Sequence, residues 1–315
     1  MDTLSHALLG IAVAGLSDHP LSFNDPIYLA SLIGAQAPDF DIIAQIRGNF
    51  AYLRQHRAFS HSVPGLMMWS ALISVGFFLF MPTAALEQVF VWSFLGGLTH
   101  IIIDFFNAHG VAIFWPFNRG RKSFSLLNVF DPLLLVIMLV PFIQGLPARE
   151  TSLLFFASVG MYAFIRYALK MRATTYLRRC FSAAGIVRIL VLPSLKSVLL
   201  WDFVIETHEY YFVGQLGAIQ PILKIHTELT KKALSSAELG AQKTVLGEFF
   251  ASFTPFSYCT EHEDDVQNTK LVRIYDLRYF LNQSFLHSAT IVLGHDEQPC
   301  ESYIQTYGRK IKIPC

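Results

Sequence analysis

Histidine and aspartate residues recur in the first third of the chain at spacings that suit metal binding. Asp2 and His6 are four residues apart, as are His100 and Asp104, so on a helix the members of each pair share one face. Imidazole and carboxylate ligands together are more typical of Zn or Mn sites than of Mg or Ca sites. The sequence therefore predicts one or two divalent ions, with candidate ligands His6, Asp39, Asp41, His61, His100 and Asp104.

Two further segments supply groups that could act on a substrate. Residues 38–41 read PDFD, and the proline makes a continuous helix less favourable there. Residues 56–62 read HRAFSHS, and a regular helix would separate His56 from His61 by about 140°, so they converge only where the segment is irregular. An arginine in this segment would balance negative charge developing on a phosphate ester. The candidate catalytic residues are His56, Arg57 and Asp41.

Several of these residues also have a purely structural interpretation. Asp2 and Asp131 each precede an apolar segment and suit the N-cap of a helix. Arg57 is equally suited to anchoring lipid headgroups at the membrane surface. For His6 or His100 taken alone, a hydrogen-bonded packing role would be the better interpretation, and their membership of one set favours ligation.

The composition places the first half of the chain in a membrane. The 315 residues are 53% hydrophobic and 15% charged, with a mean hydropathy of +0.43, and the uncharged runs lie before about residue 165. The net charge of +1 gives no broad basic surface, so nucleic acid is not an expected partner. The four cysteines have no CxxC spacing and are expected to be free thiols.

The apolar runs predict a bundle of about six helices. Four of these runs are long enough to predict transmembrane spans, at residues 65–81, 86–103, 132–148 and 151–165. Two shorter runs, at residues 8–16 and 27–37, suit an N-terminal helical hairpin. The alternative is a soluble, all-helical core built from strongly apolar helices. We therefore expect a mainly α membrane domain.

The distribution of basic residues predicts how the helices are oriented. Eleven Lys and Arg residues lie in the segments 47–57, 119–122 and 166–179, whereas the alternate loops contain only Arg149. Basic loops face the cytoplasm in multi-pass proteins, so both termini and the C-terminal region are expected there. Each candidate ligand then lies at the cytoplasmic end of its helix. Five separate segments would thus deliver His or Asp to one face of the membrane.

After Pro193 the pattern changes to short β-branched and aromatic runs. We expect strands at 197–207, 210–216, 270–275 and 288–293, a helical region at 221–253 and an acidic loop at 261–265. The domain boundaries follow: a membrane domain at 1–170, a basic connector at 171–192 and a cytoplasmic, β-rich α+β domain at 193–315. Arg278 and His208 are expected to pack within this last domain rather than to reach the active site.

The motifs and their order resemble those of the bacterial membrane-bound metal-dependent hydrolases, a family that includes LexA-regulated members. The resemblance covers about residues 1–135 and rests on TLSH at 3–6, PDFD at 38–41, HRAFSHS at 56–62, HIIID at 100–104 and WPF at 115–117. The HRAFSHS block is the most specific of these. Residues 107–110 read NAHG and depart from the family pattern, so His109 is not carried over.

The resemblance implies an inner-membrane hydrolase whose metal-dependent site uses matching residues of this chain. Those residues are His6, Asp39, Asp41, His56, His61, His100 and Asp104. Because the site would lie at the membrane surface, we expect a lipid or another phosphate ester as substrate. Two alternatives use the same residues: a metal-ion transporter, and a non-catalytic membrane adaptor with a structural metal site. Placement at helix ends, rather than at the bilayer midplane, argues against the transporter.

Overall fold

The computed structural model describes residues 1–47, 58–118, 120–264, 269–294, 298–306 and 308–313. The chain forms two compact units, Met1–Ala168 and Leu169–Cys315. The α-helices are α1 Thr3–Gly15, α2 Pro26–Gln36, α3 Val63–Phe80, α4 Leu86–Phe106, α5 Pro132–Leu139 and α6 Ala148–Cys180. Shorter 3₁₀ segments cover Ala37–Arg47, Phe59–His61, Val140–Ile143 and Ser182–Ala184.

Four of the helices in the first unit begin at a residue whose side chain caps the helix. Asp2 accepts a hydrogen bond from the Ser5 backbone N–H at 2.9 Å, and Asp131 accepts one from Leu134 at 3.0 Å. Asp25 and Ser62 cap α2 and α3 in the same way. These caps satisfy N–H groups that have no partner within the helix. The capping interpretation of Asp2 and Asp131 is therefore confirmed.

Three of the described helices, α3, α4 and α6, are long and apolar enough to cross a membrane. The expected span at residues 132–148 is shorter in the structure, because α5 passes into a 3₁₀ turn that ends at Ile143. Pro141 in that turn cannot donate a backbone hydrogen bond and interrupts the helix. The expected count of four spans and a hairpin is not confirmed, whereas a helical region with three candidate spans is present.

The backbones of α2 and α4 touch at two glycines. A Cβ added to Gly34 would lie 2.1 Å from the Ser93 carbonyl oxygen, and one added to Gly96 would lie 2.1 Å from that of Ser31. The Ser31 hydroxyl also donates to the Gly10 carbonyl oxygen on α1 at 2.8 Å. Small residues allow this close approach between membrane helices. It fixes the relative positions of three helices that carry or adjoin candidate ligands.

The second unit contains two antiparallel sheets. The first has the order β1-β2-β3-β4, and the second has the order β11-β10-β9-β6-β5. The first sheet is β1 Arg188–Pro193, β2 Leu200–Glu206, β3 Tyr210–Gly217 and β4 Leu223–Thr230. The second is β5 Ser257–Asp264, β6 Thr269–Asp276, β9 His287–Leu293, β10 Pro299–Thr306 and β11 Arg309–Ile313, with β7 Phe280–Leu281 and β8 Ser284–Phe285 as a short hairpin. Helices α7 Ser236–Gln242 and α8 Val245–Phe253 connect the sheets.

The β-rich interpretation of the C-terminal region is confirmed, with three local differences. All four expected strands form, but the first part of the region expected to be helical is strand β4. Leu223, Ile225 and Leu229 alternate with polar residues there, which is the period of a strand. The segment expected as an acidic loop belongs to β5 as far as Asp264. The segment 171–192, expected as a connector, contains the end of α6 and most of β1.

Charged residues in the core of the second unit are paired. Asp276 is fully buried, and its carboxylate accepts hydrogen bonds from the Arg278 guanidinium at 2.7 to 3.1 Å and from the Thr254 hydroxyl at 2.7 Å. A buried charge needs such partners because it has lost its water. Arg278 is thus bound within its own unit, in agreement with the packing role expected for it.

Asp202 on β2 should make the stability of the second unit depend on pH. Its carboxylate accepts a hydrogen bond from Gln215 at 2.8 Å, and burial raises its pKa to about 6. The Asp202 carboxyl group therefore binds its proton more tightly in the folded state than in the unfolded chain. The free energy of unfolding should fall by up to about 3 kcal/mol as the pH rises from about 4 to 6.

Asp202→Asn should flatten this profile and stabilise the unit at pH 7.5. Denaturant unfolding of the full chain, followed by tryptophan fluorescence at several pH values, measures the effect, since Trp201 is fully buried on the same strand. Glu228→Gln is the matched control, because Glu228 is an exposed acid in the same sheet. Equal pH slopes for wild type and Asp202→Asn would contradict the expectation.

Candidate metal centre

Four elements bring all six predicted metal ligands together. His6 lies on α1, Asp39 and Asp41 on the 3₁₀ segment after α2, His61 on the 3₁₀ turn before α3, and His100 and Asp104 on α4. Their ring nitrogens and carboxylate oxygens approach within 3.2 to 4.0 Å of one another. Of the predicted catalytic residues, His56 and Arg57 lie outside the described residues.

The Nε2 atoms of His61 and His100 face each other at 3.2 Å. The Nδ1 atom of His100 is 2.7 Å from the Ala35 carbonyl oxygen, which can only accept, so this nitrogen carries the proton. The Nδ1 atom of His61 is 2.9 Å from the Ser60 hydroxyl, which itself donates to Asp41 at 2.8 Å. The Nδ1 atom of His61 therefore donates to the Ser60 hydroxyl, so it carries the proton of that ring, as Nδ1 does in His100. Both Nε2 atoms then direct a lone pair into the same space, which suits a cation between them.

Two carboxylates complete the set around this space. Asp39 Oδ1 lies 3.5 Å from Nε2 of His61 and 3.6 Å from that of His100. Asp104 Oδ2 lies 3.8 Å and 4.0 Å from the same two nitrogens. Ligands at 2.0 to 2.2 Å around a tetrahedral Zn²⁺ are separated by about 3.3 to 3.6 Å. The separations between Asp39 and the two imidazoles match this range, and those from Asp104 are slightly longer, so these side chains could hold a divalent ion.

His6 adds a third imidazole beside this group. Its ring stacks on that of His100 with a centroid separation of 3.6 Å and an interplanar angle of 10°. The ring is fully buried, and neither nitrogen has a hydrogen-bond partner among the described residues. Its Nε2 lies 3.6 Å from Asp104 Oδ1. A buried imidazole without partners is costly, and a metal ion would satisfy it.

The cluster is buried on one side and partly open on the other. The side chains of His61 and His100 are fully buried, whereas that of Asp39 is 33% exposed. Asp104 is buried and accepts hydrogen bonds from the amino group of Met1 and from Asn107, the latter at 2.9 Å. The Met1 ammonium group thus neutralises part of the charge of Asp104 within this buried site. Asp39 marks the side from which a ligand would approach.

Three supporting groups were not predicted from the sequence: the Ser60 hydroxyl, the Asn107 amide and the Ala35 carbonyl. Ser60 lies next to His61, and Asn107 is the C-cap of α4 three residues after Asp104, so their positions in the sequence could have indicated them. The Ala35 carbonyl has no signal in the sequence. Only the packing of α2 against α4 brings it to His100.

The side chains of Asp131 and His19 have hydrogen-bond partners outside the metal cluster. The Asp131 carboxylate caps α5 and accepts a hydrogen bond from the Tyr162 hydroxyl at 2.7 Å. Asp131 thus acts as the helix cap expected for it, and the six residues of the described cluster come from four elements. His19 is 2.8 Å from Asp25 and lies outside the cluster.

Ser60→Ala should lower the affinity for metal by about 10- to 100-fold, the usual effect of losing a partner that orients a ligand. The Ser60 hydroxyl accepts from Nδ1 of His61 and joins that ring to Asp41. Competition between the purified protein and a fluorescent chelator measures the affinity. Ser74→Ala is the control, because the Ser74 hydroxyl donates only to the Ser70 carbonyl within α3. Equal affinities for the two variants would show that His61 is oriented by other contacts.

Comparison with known proteins gives two family matches and one full-length relative. Residues 1–173 match a family model described as YdjM inner membrane protein, and residues 239–312 match one described as YfhP C-terminal alpha/beta plait domain. A Bacillus subtilis (strain 168) protein named "Uncharacterized protein YfhP" is 28% identical over 321 residues, covering 96% of this chain and 94% of the relative. No solved structure matches. The match to this relative therefore spans both units of the chain.

Proposed function

Because the chain belongs to the YdjM inner membrane protein family, we propose that it is a multi-pass, metal-dependent hydrolase of a membrane-associated phosphate ester or lipid-linked ester. The proposed orientation places both termini and the β-rich domain in the cytoplasm, since the basic segments would face that side. The motif resemblance of residues 1–135 to membrane-bound hydrolases supports the reaction type. The apolar helices support a substrate held at the membrane.

The observation that carries the proposal is the pair of Nε2 atoms that face each other beside two carboxylates. His61, His100, Asp39 and Asp104 would hold the first ion, which we propose to be Zn or Mn. When bound, a divalent ion supplies Lewis-acid polarisation of a phosphoryl or carbonyl oxygen. His6 would complete the site or help to hold a second ion, since two three-residue groups share His100 and the ligand atoms of each group lie within 4.8 Å of one another.

The remaining residues would orient the ligands and handle protons. Asp41 lies on the Nδ1 side of His61, reached through Ser60, so it is better placed to orient that imidazole than to share the first ion. The partly exposed Asp39 lies where an ester oxygen would enter. We propose that His56 accepts the proton of the attacking water and that Arg57 pairs with phosphate, as their positions in the HRAFSHS block favour.

The test compares wild type, His61→Ala and Asp39→Asn with the control His19→Ala, each purified in detergent. His19 is a histidine outside the cluster, so its loss should leave the site intact. Metal content is measured by mass spectrometry, and turnover is measured with p-nitrophenyl phosphate, bis-p-nitrophenyl phosphate and phosphatidylglycerol. The wild type and His19→Ala should contain metal and hydrolyse at least one substrate. Both ligand variants should lose activity by more than about 100-fold, beyond the effect of disturbing a supporting residue.

Other outcomes separate the rival functions. Bound metal without turnover on any substrate would favour the adaptor with a structural ion. Metal flux into proteoliposomes that both ligand variants abolish would favour the transporter. Unchanged metal content in both ligand variants would overturn the proposed site.

A further inference from the structure

The first sheet of the second unit ends in an exposed apolar surface. We call this surface the sheet tip and define it as residues 194–199, between β1 and β2, and residues 218–222, between β3 and β4. The two connections are joined by a hydrogen bond from the Ala218 N–H to the Leu199 carbonyl oxygen at 2.8 Å. Leu199 is 54% exposed, Ile219 61% and Ile222 70%. Large apolar side chains grouped in this way on a surface indicate a binding partner.

The residues at and beside the sheet tip are basic rather than acidic. Lys196 and Lys224 are exposed there, and neither connection contains Asp or Glu. Lys196 lies within the first connection and Lys224 follows the second by two residues, and together with burial they lower the pKa of His226. An apolar surface with basic residues beside it suits the interface of a membrane that contains anionic lipids.

The part of the chain that follows the uncharged segment of α6 contacts the first sheet at several points. Residues 151–165 of α6 are uncharged, and Arg172, seven residues later, donates to the Ile219 carbonyl oxygen at 2.9 Å. Further along the chain, the Phe181 ring lies 5.1 Å from that of Phe212, in β3. Beyond it, a Cβ on Gly185 would lie 3.4 Å from the ring of His208, at the opposite end of the sheet. The chain therefore meets the sheet tip first as it leaves its uncharged segment.

We infer that the sheet tip inserts into the surface layer of the same membrane that α6 enters. Leu199, Ile219 and Ile222 lie among the outer acyl carbons, while Lys196 and Lys224 bind anionic headgroups. Aliphatic side chains bind the interface by burying apolar area, and lysines add attraction to anionic lipid. The inference is independent of the proposed hydrolase activity, because none of these residues belongs to the metal cluster.

The test uses the full chain in lipid nanodiscs with a fluorescent label at Gln220→Cys. This position lies in the sheet tip and leaves its apolar residues intact. Cys180, Cys300 and Cys315 are changed to serine, and Cys259 is buried. Glu209→Cys is the matched control, because it lies in the turn between β2 and β3 at the other end of the same strands. Lipids with a nitroxide on the headgroup or an upper acyl carbon quench nearby labels.

Quenching should be at least twofold stronger at Gln220→Cys than at Glu209→Cys, with a blue-shifted emission at the sheet tip. The combined change Ile219→Ser and Ile222→Ser should reduce the quenching by about half or more. Replacing Lys196 and Lys224 with glutamate should reduce it in discs with 30% phosphatidylglycerol and much less in discs of phosphatidylcholine alone. Equal, weak quenching at both labels would overturn the inference. A blue shift without quenching by lipid would also overturn it, because protein would then cover the sheet tip.

Discussion

His100→Ala should remove tightly bound metal from the protein and abolish the thermal stabilisation that the metal gives. His100 belongs to both three-residue groups that could hold an ion, and its Nε2 lies 3.2 Å from that of His61 while its ring stacks on His6. An ion whose free concentration is about 1,000 times its dissociation constant stabilises the folded state by about 4 kcal/mol. Adding a chelator to the wild type should therefore lower its unfolding temperature by several degrees. The same chelator should leave His100→Ala unchanged.

The chelator comparison separates metal binding from packing. His100→Ala also removes a buried ring and leaves the Ala35 carbonyl without its partner, so the variant is expected to be less stable even without metal. The decisive measurement is the difference between unfolding temperatures with and without chelator, in wild type, His100→Ala and the control His19→Ala. Wild type and His19→Ala should show the same shift. A wild-type protein that contains no metal and shows no shift would contradict the metal centre.

Gly96→Ala should destabilise the first unit by about 3 kcal/mol or more and weaken metal binding. The added Cβ would lie 2.1 Å from the Ser31 carbonyl oxygen, and backbone cannot move aside as the end of a flexible side chain can. Overpacking of a filled core costs about 1 to 3 kcal/mol even where side chains can adjust. Separation of α2 from α4 would also lengthen the contact between Ala35 and His100.

Gly160→Ala is the matched control for this substitution. Gly160 is also within a helix, α6, and an added Cβ there meets nothing within 4 Å. Alanine at such a position should be neutral or stabilise the helix by up to about 1 kcal/mol. Unfolding temperature in nanodiscs and metal affinity are measured for both variants. If the two glycine variants behave alike, the contact between α2 and α4 is not what maintains the site.

The sequence indicates which His and Asp residues lie together because several of them are close in the chain. Asp39 and Asp41 share one short motif, and His100 and Asp104 share one turn of a helix, so residue type and spacing indicate them directly. What the sequence could not predict is which nitrogen of each imidazole faces the cluster. That depends on the Ser60 hydroxyl and on a backbone carbonyl, and a carbonyl is present at every position of the chain. Tertiary packing alone selects Ala35.

Fold prediction failed where two periodicities compete. Residues 221–253 contain enough helix-forming and charged residues to resemble a helix. Leu223, Ile225 and Leu229 nevertheless pair with residues of β3, with one register shift between Ile225 and Leu229, and form a strand. In the membrane unit, the expected span is drawn from hydropathy, which does not register a residue that breaks a helix. Pro141 therefore shortens a segment that hydropathy alone extends to residue 148.

The contact between Ala35 and His100 also bears on when the centre can form. It joins positions 65 residues apart, and the facing imidazoles of His61 and His100 are 39 residues apart. No nascent chain that stops before the end of α4 contains all the ligands, and earlier portions would have to close long loops to bring the remainder together. In the proposed enzyme, a complete metal site would therefore form only after α4 has been synthesised, so the metal would not guide the insertion of α1 to α3.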